Sequence, residues 1–148
     1  MLKIIILLTV MANSITIPDY TCTQVLKAIA CVESSDKAIG THPDGVSIGR
    51  HGVTRIAIRE LSKTIDISEN IDLKVDWINE YCAWEYLRLM YERHECTNWI
   101  EAAGWYHGGS ASNRAEYIER IKKSLESDTV PVARVQGTNV AEALNLKH

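Results

Sequence analysis

The residues best suited to do chemistry are one glutamate and one aromatic run that ends in glycines. Glu33 closes an apolar stripe of Cys22, Val25, Leu26, Ile29 and Ala30, spaced at i, i+3, i+4, i+7 and i+8, with Glu33 itself at i+11. That spacing puts all six on one helical face and places a carboxyl on its buried side. Burial penalises a carboxylate's charge, and the partial negative charge at a helix C-terminus repels it. Both effects favour the protonated form, which a general acid must carry near neutral pH. Far downstream the chain reads Trp105-Tyr106-His107-Gly108-Gly109, an aromatic-then-glycine turn between two helical patterns. If the fold brings the two together, the Tyr106 hydroxyl would fix the Glu33 rotamer and stabilise its charged form. The plainer alternatives are an exposed Glu33 at a frayed helix end and a Tyr106 that only fills the core. His107 is either a hydrogen-bonding group of the same site or a helix-terminal surface histidine.

The elements that must position these groups are mostly helical. Pro18-Asp19 and Thr21 to Thr23 supply the start of the first helix, which runs to Glu33. Ser34 is a polar member of the site or a stop for that helix. The stretch from Ser34 to Gly52 is rich in turn residues, and Asp44-Gly45 is a hairpin-turn dipeptide, so this loop has room for a small hairpin. Gly49 and Gly52 allow backbone to approach a ligand closely, or give plain loop flexibility. Val53, Ile56, Ala57 and Leu61 mark a second helix. A third region after Ser68 carries Trp77, Ile78, Tyr81, Cys82, Trp84, Leu87, Met90 and Tyr91 as a broad apolar face. A fourth helix spans Cys96 to Ala103, and a fifth starts near Ser112 with Tyr117, Ile118, Ile121 and Leu125 inward. The expected class is mainly α, about five helices with a glycine-rich loop or small hairpin after the first.

Composition sets the bounds. A chain of 148 residues with 46% hydrophobic content is one domain with a proper core. Its net charge of −3 gives no reason to expect nucleic acid or an anionic membrane as partner. Met1-Leu2-Lys3, the run Ile4 to Ala12, and small residues at Ala12 and Ser14 form the pattern of a short secretory signal over residues 1–14. The run is far short of the roughly 20 residues of a spanning helix, so no stable membrane insertion is expected; a buried N-terminal strand is the alternative.

Four cysteines in an exported chain, Cys22, Cys31, Cys82 and Cys96, permit two disulfides. On one straight helix Cys22 and Cys31 are separated by about nine residues at 1.5 Å each, beyond the roughly 7 Å Cα limit of a bridge. Pairing of the first helix with Cys82 or Cys96 is therefore favoured over Cys22–Cys31, with buried free thiols as the alternative. Their spacing lacks the close pairs of a zinc site, and His94-Glu95-Cys96 lacks a second histidine, so no metal is expected.

In order along the chain, several segments resemble one family. Ala28-Ile29-Ala30-Cys31-Val32-Glu33-Ser34-Ser35 resembles the opening motif of the soluble lytic transglycosylase domain of the lysozyme-like superfamily, in which the glutamate of V-E-S is the catalytic acid. Ser47-Ile48-Gly49-Arg50-His51-Gly52-Val53 resembles its G-L-M-Q loop, keeping the first glycine but placing Gly52 where the family has glutamine. Asn70-Ile71, Tyr86-Leu87-Arg88 and Trp99 resemble the helices that lead to the A-Y-N-A-G motif. Trp105 to Gly109 resembles that motif, with His107 in place of asparagine, and Tyr117-Ile118 matches the pair of the closing helix.

The resemblance covers roughly Cys22 to Leu125 and implies a lysozyme-like domain at 15–126, between the signal pattern at 1–14 and a tail at 127–148, where the helical period is lost. It implies cleavage of the β-1,4 bond between N-acetylmuramic acid and N-acetylglucosamine, with a 1,6-anhydro end as product and Glu33 as acid and base. Ser34, Ser47, Gly49, Arg50, His51, Tyr106 and His107 become the substrate-binding or supporting set, with Arg50 or His51 replacing the missing glutamine. Trp99 and Trp105 are further stacking candidates, with a core position the favoured reading for Trp99. No cofactor is implied. The expected partners are peptidoglycan glycan strands, met by a periplasmic or secreted monomer that serves a secretion, conjugation or phage assembly. A hydrolytic muramidase would need a second carboxylate roughly 5–9.5 Å away, for which Asp36 and Asp44 are the candidates, although Asp44 beside Gly45 also reads as a turn residue. An inactive glycan-binding module of the same fold is the other alternative.

Overall fold

The computed structural model describes residues 19–128. They form five helices and a two-stranded antiparallel sheet in the order α1 (Cys22–Ser34), β1 (Ser47–Ile48), β2 (Val53–Thr54), α2 (Arg55–Leu61), α3 (Asp76–Arg93), α4 (Trp99–His107) and α5 (Ala111–Asp128). The described chain is therefore mainly α, with its one hairpin after α1. The expected signal at 1–14 lies outside the described residues, as does the expected tail from 129 onward. Residues 127 and 128, expected in that tail, continue α5.

α1 starts at a capping box. Thr21 Oγ1 accepts from the Gln24 amide at 3.3 Å, and Gln24 Oε1 accepts from the Thr21 amide at 2.9 Å, which satisfies two of the helix's orphan donors. Val25, Leu26, Ile29 and Ala30 of the predicted stripe are buried together with Ala28, while Cys22 and Glu33 at its ends are only partly buried. The helix ends on two non-glycine residues of positive φ, Ser35 at 55° and Asp36 at 58°. Their amides return to the carbonyls of Cys31 and Ala30, both at 3.0 Å. The left-handed region costs such residues about 1–2 kcal/mol each, so this reversal just behind Glu33 is held by its surroundings.

The loop makes two turns. Asp44-Gly45 turns the chain so that Thr41 bridges Ile48, and the segment from Gly49 to Gly52 then turns β1 onto β2, with Ser47 opposite Thr54 and Ile48 opposite Val53. Thr54 caps α2 by accepting from the Ala57 amide. The core lies where α4 packs on α3 and α5, and α1 packs on α5. Ile29, Ile58, Leu61, Leu73, Leu87, Tyr117 and Ile121 are fully buried there; burying a side chain of that size stabilises by about 1.5–3 kcal/mol.

Three expectations are corrected. In α2 Ala57 and Leu61 are buried as expected, but Ile58 joins them in place of Ile56, which is 68% exposed, and Val53 belongs to β2. α3 starts at Asp76, after a run of turns, and buries Asn79, Cys82, Ala83, Leu87 and Met90. Trp77, Tyr81 and Trp84, expected inside, face outward. All four cysteines are free thiols. Cys82 and Cys96 are buried in the apolar core, and burial pushes the Cys82 thiol up to about 11. The Cys22 thiol lies by Trp84 and Arg88 of α3.

Candidate active site

Glu33 sits in the last turn of α1, partly buried. Its carboxylate rests against the backbone of Gly52: a Cβ at Gly52 would stand 2.7 Å from Oε2 and 3.0 Å from Cδ. Gly52 has φ of 62° as well, so space and backbone conformation both call for glycine there. On another side is Tyr117 of α5, 1% exposed. Burial first, and then the nearby Glu33 charge, push its phenol well above the ordinary range. Hydrogen bonding with Glu33 contributes to that shift, yet no bond of regular geometry reaches the Tyr117 hydroxyl. The two groups are close neighbours with the bond unformed. His107, at the end of α4, stacks flat on Tyr117 at 4.3 Å and 9° between planes.

Tyr106 does not bond to Glu33 as expected. Its hydroxyl donates to the His51 carbonyl at 2.8 Å, and its ring packs on Tyr86. Burial and then the Glu33 charge raise its phenol well above the ordinary range, so it stays within electrostatic reach of the acid. Its bond pins His51, and His51 precedes the glycine on which the carboxylate rests. Tyr106 thus acts on Glu33 through the loop.

The remaining loop residues are mostly bound within the protein. Ser34 Oγ donates to the Arg50 carbonyl at 2.8 Å, with Ala30 O at 3.1 Å as the alternative acceptor, and accepts from the Lys37 amide. It ties the end of α1 to the loop. Ser47 Oγ donates to Asp44 at 2.5 Å. Arg50, expected to meet substrate, forms a bidentate pair with Asp76 at 2.9 Å and also donates to Asp36. These bonds raise the Arg50 guanidinium and lower the Asp76 carboxyl. A Cβ at Gly49 would overlap the Asn79 side chain. His51 is 3% exposed, and burial lowers its imidazole below the ordinary range. Its Nδ1 has no hydrogen-bond partner; the neighbouring Asn79 oxygen is spent on the His51 backbone amide.

Neither candidate second carboxylate is free. Asp44 accepts from the Ser47 hydroxyl and from the amides of Val46 and Ser47, which hold its carboxyl down to about 2. Asp36 is paired with Arg50 at 2.9 Å. Trp105 is also engaged, stacked on His94 at 3.7 Å with Arg114 over its ring at 3.9 Å. Trp99 packs on Tyr91.

Three residues of this region escape the sequence reading. Asn79, fully buried, accepts from His51 N at 2.9 Å and donates to the carbonyls of Ile48 and Leu73 at 2.8 and 3.0 Å. Its signal is a lone amide on the Cys82-Ala83-Leu87-Met90 face. Tyr117 reads as core from its spacing, and only the fold brings it to Glu33. Arg120 Nη2 donates to the Val32 carbonyl at 3.0 Å, placing a cation at the negative end of α1; nothing in the sequence marks it. Comparison with protein-family models, with curated proteins and with solved structures returns no match.

Proposed function

We propose that the chain is a peptidoglycan lytic transglycosylase of lysozyme-like fold, in which Glu33 cleaves the bond between N-acetylmuramic acid and N-acetylglucosamine. The observation that carries this reading is the setting of Glu33: one carboxyl at the end of α1, seated on Gly52 and beside a buried, unbonded Tyr117 hydroxyl. A hydrolase of the usual kind needs a second carboxylate free to act as nucleophile or base, at roughly 5–9.5 Å. Asp36 and Asp44 are both committed to loop partners, which favours a mechanism that works with one acid.

In that mechanism Glu33 gives its proton to the leaving O4 of N-acetylglucosamine as the C1–O4 bond breaks. The C6 hydroxyl of the muramyl unit then bonds to C1 and passes its proton to Glu33. The acid is regenerated, no water is consumed, and a 1,6-anhydro end results. Between the steps Glu33 is a carboxylate, and Tyr117 stands where it can donate to it. The Gly52 position, which departs from the family's glutamine, gives the carboxylate its seat. The substrate is then a glycan strand met in the periplasm or outside the cell.

Mass spectrometry of muropeptides released by the protein and by Glu33→Gln tests the reading. Anhydro-muropeptides from the parent and none from the variant are expected. Reducing ends would replace it with a muramidase, and no product from the parent with a glycan-binding module.

A further inference from the structure

We propose that Arg120 is a positioning residue of the active site: from α5 it sets its charge against the negative end of α1 and so eases formation of the Glu33 carboxylate. Its role in turnover rests on the function proposed above; the coupling of Arg120 to Glu33 does not.

α1 delivers Glu33 at the end where its backbone dipoles leave partial negative charge, and the last turn of this helix carries no basic residue of its own. Its final carbonyls are taken up one after another. Those of Ala30 and Cys31 accept from the amides of Asp36 and Ser35, and that of Val32 accepts from Arg120 Nη2 at 3.0 Å. The Val32 carbonyl belongs to the peptide bond that joins Val32 to Glu33, so the cation stands on the backbone of the acid itself. Tyr117, three residues before Arg120 on α5, feels both charges. Its ring centroid lies 5.8 Å from the guanidinium carbon, and the Glu33 charge raises its phenol while the Arg120 charge lowers it. Two groups of opposite sign therefore act on one buried ring.

The other groups around Glu33 are spent or neutral. From the loop, Arg50 is bound to the carboxylates of Asp36 and Asp76, and Lys37 meets the end of α1 through its amide. Burial favours the neutral form of His51. From α4, Tyr106 is bonded to the His51 carbonyl and His107 stacks on Tyr117, while α3 presents Tyr86 behind Tyr106. Glu116, Glu119 and Lys123 line the surface around Arg120. Glu119 is drawn to Lys122 at 2.7 Å, and among the described residues no salt bridge takes Arg120. Its charge is left to the end of α1. As Glu33 gives its proton to the leaving oxygen, a carboxylate forms, and a cation at that helix end lowers the barrier to forming it.

The test follows the Glu33 carboxyl by NMR through a pH titration of the isotope-labelled protein, in the parent, in Arg120→Gln and in Arg120→Lys. Arg120 is exposed, which limits it to the effect of a surface cation at a helix end. In R120Q Glu33 should give up its proton about 0.2–0.7 pH unit higher than in the parent. R120K keeps the charge and should recover most of that shift, and salt at about 1 M, where the screening length is about 3 Å, should shrink it. Equal midpoints in parent and R120Q, or a shift that R120K leaves in full, overturn the coupling. Release of anhydro ends across pH then reads the role in turnover. R120Q should work about two- to fivefold more slowly, with its alkaline limb moved up alongside the Glu33 titration. A moved titration with an unmoved alkaline limb overturns the role in turnover. No product from the parent removes the catalytic reading, while the titration still decides the coupling.

Discussion

Replacing Gly52 with alanine separates the seat of Glu33 from ordinary backbone cost. At φ of 62° an alanine costs about 1–2 kcal/mol. Its Cβ would also lie 2.7 Å from Glu33 Oε2, and ordinary contact begins near 3.4 Å, so the carboxylate must retreat by roughly 0.7 Å. That atom is the far end of a flexible side chain, so the retreat adds little to the loss of stability. For catalysis it matters more: a displacement of about 1 Å at a reacting group costs on the order of 100-fold, so about thirtyfold in kcat/KM is expected here. Gly45→Ala is the control, since Gly45 has a similar φ of 74° with nothing within 4 Å of its Cβ position. By circular dichroism both variants should melt roughly 2–4 °C lower per kcal/mol lost, and by about the same amount. By release of anhydro ends from purified peptidoglycan, only Gly52→Ala should lose activity. Equal activity in the two variants would refute the proposal that Glu33, seated on Gly52, is the catalytic carboxyl.

Tyr117→Phe removes a buried hydroxyl that lacks a regular partner, so urea unfolding should show stability unchanged or raised by up to about 1 kcal/mol, while turnover falls about tenfold. Asn79→Ala strands the His51 amide and the carbonyls of Ile48 and Leu73; a loss of about 3–4 kcal/mol in the same assay is expected, and a loss under 1 would contradict the clamp. The Asp44 carboxyl is lowered from 3.8 to about 2, so its contribution to stability is present above about pH 4 and lost as pH falls through about 2. Asp44→Asn should flatten the acid limb of the stability curve in that window and leave turnover at neutral pH near the parent level. A collapse of turnover would instead make Asp44 the second carboxylate of a hydrolase.

Where local pattern and tertiary packing agree, the sequence reading holds. The α1 stripe and the inward row Tyr117, Ile121 and Leu125 are legible because their apolar spacing matches the face that becomes buried; the turn dipeptide Asp44-Gly45 marks only the Thr41–Ile48 bridge, while the strands pair across Gly49 to Gly52. α3 misleads because aromatic residues outweigh smaller ones in such a reading. The true core face is Asn79, Cys82, Ala83, Leu87 and Met90, whose side chains fit close helix packing, and the tryptophans are left outside. In the site Glu33 is legible as an acid ending an apolar stripe. Its neighbours Gly52 and Tyr117 depend on how the loop folds back and how α5 crosses α1, neither of which leaves a local trace. Arg50 reads as a free cation until the carboxylates of Asp36 and Asp76 close on it.

The bond from Arg120 to the Val32 carbonyl spans 88 positions of chain, and Tyr117 comes to Glu33 from the same helix. The environment of the acid is therefore completed by α5, the last of the described helices. A nascent chain that has emerged only through α4 presents Glu33 without the cation at its helix end and without the phenol beside it. The surroundings of Glu33 are thus assembled only once α5 has emerged, although α1 and its glutamate are made first.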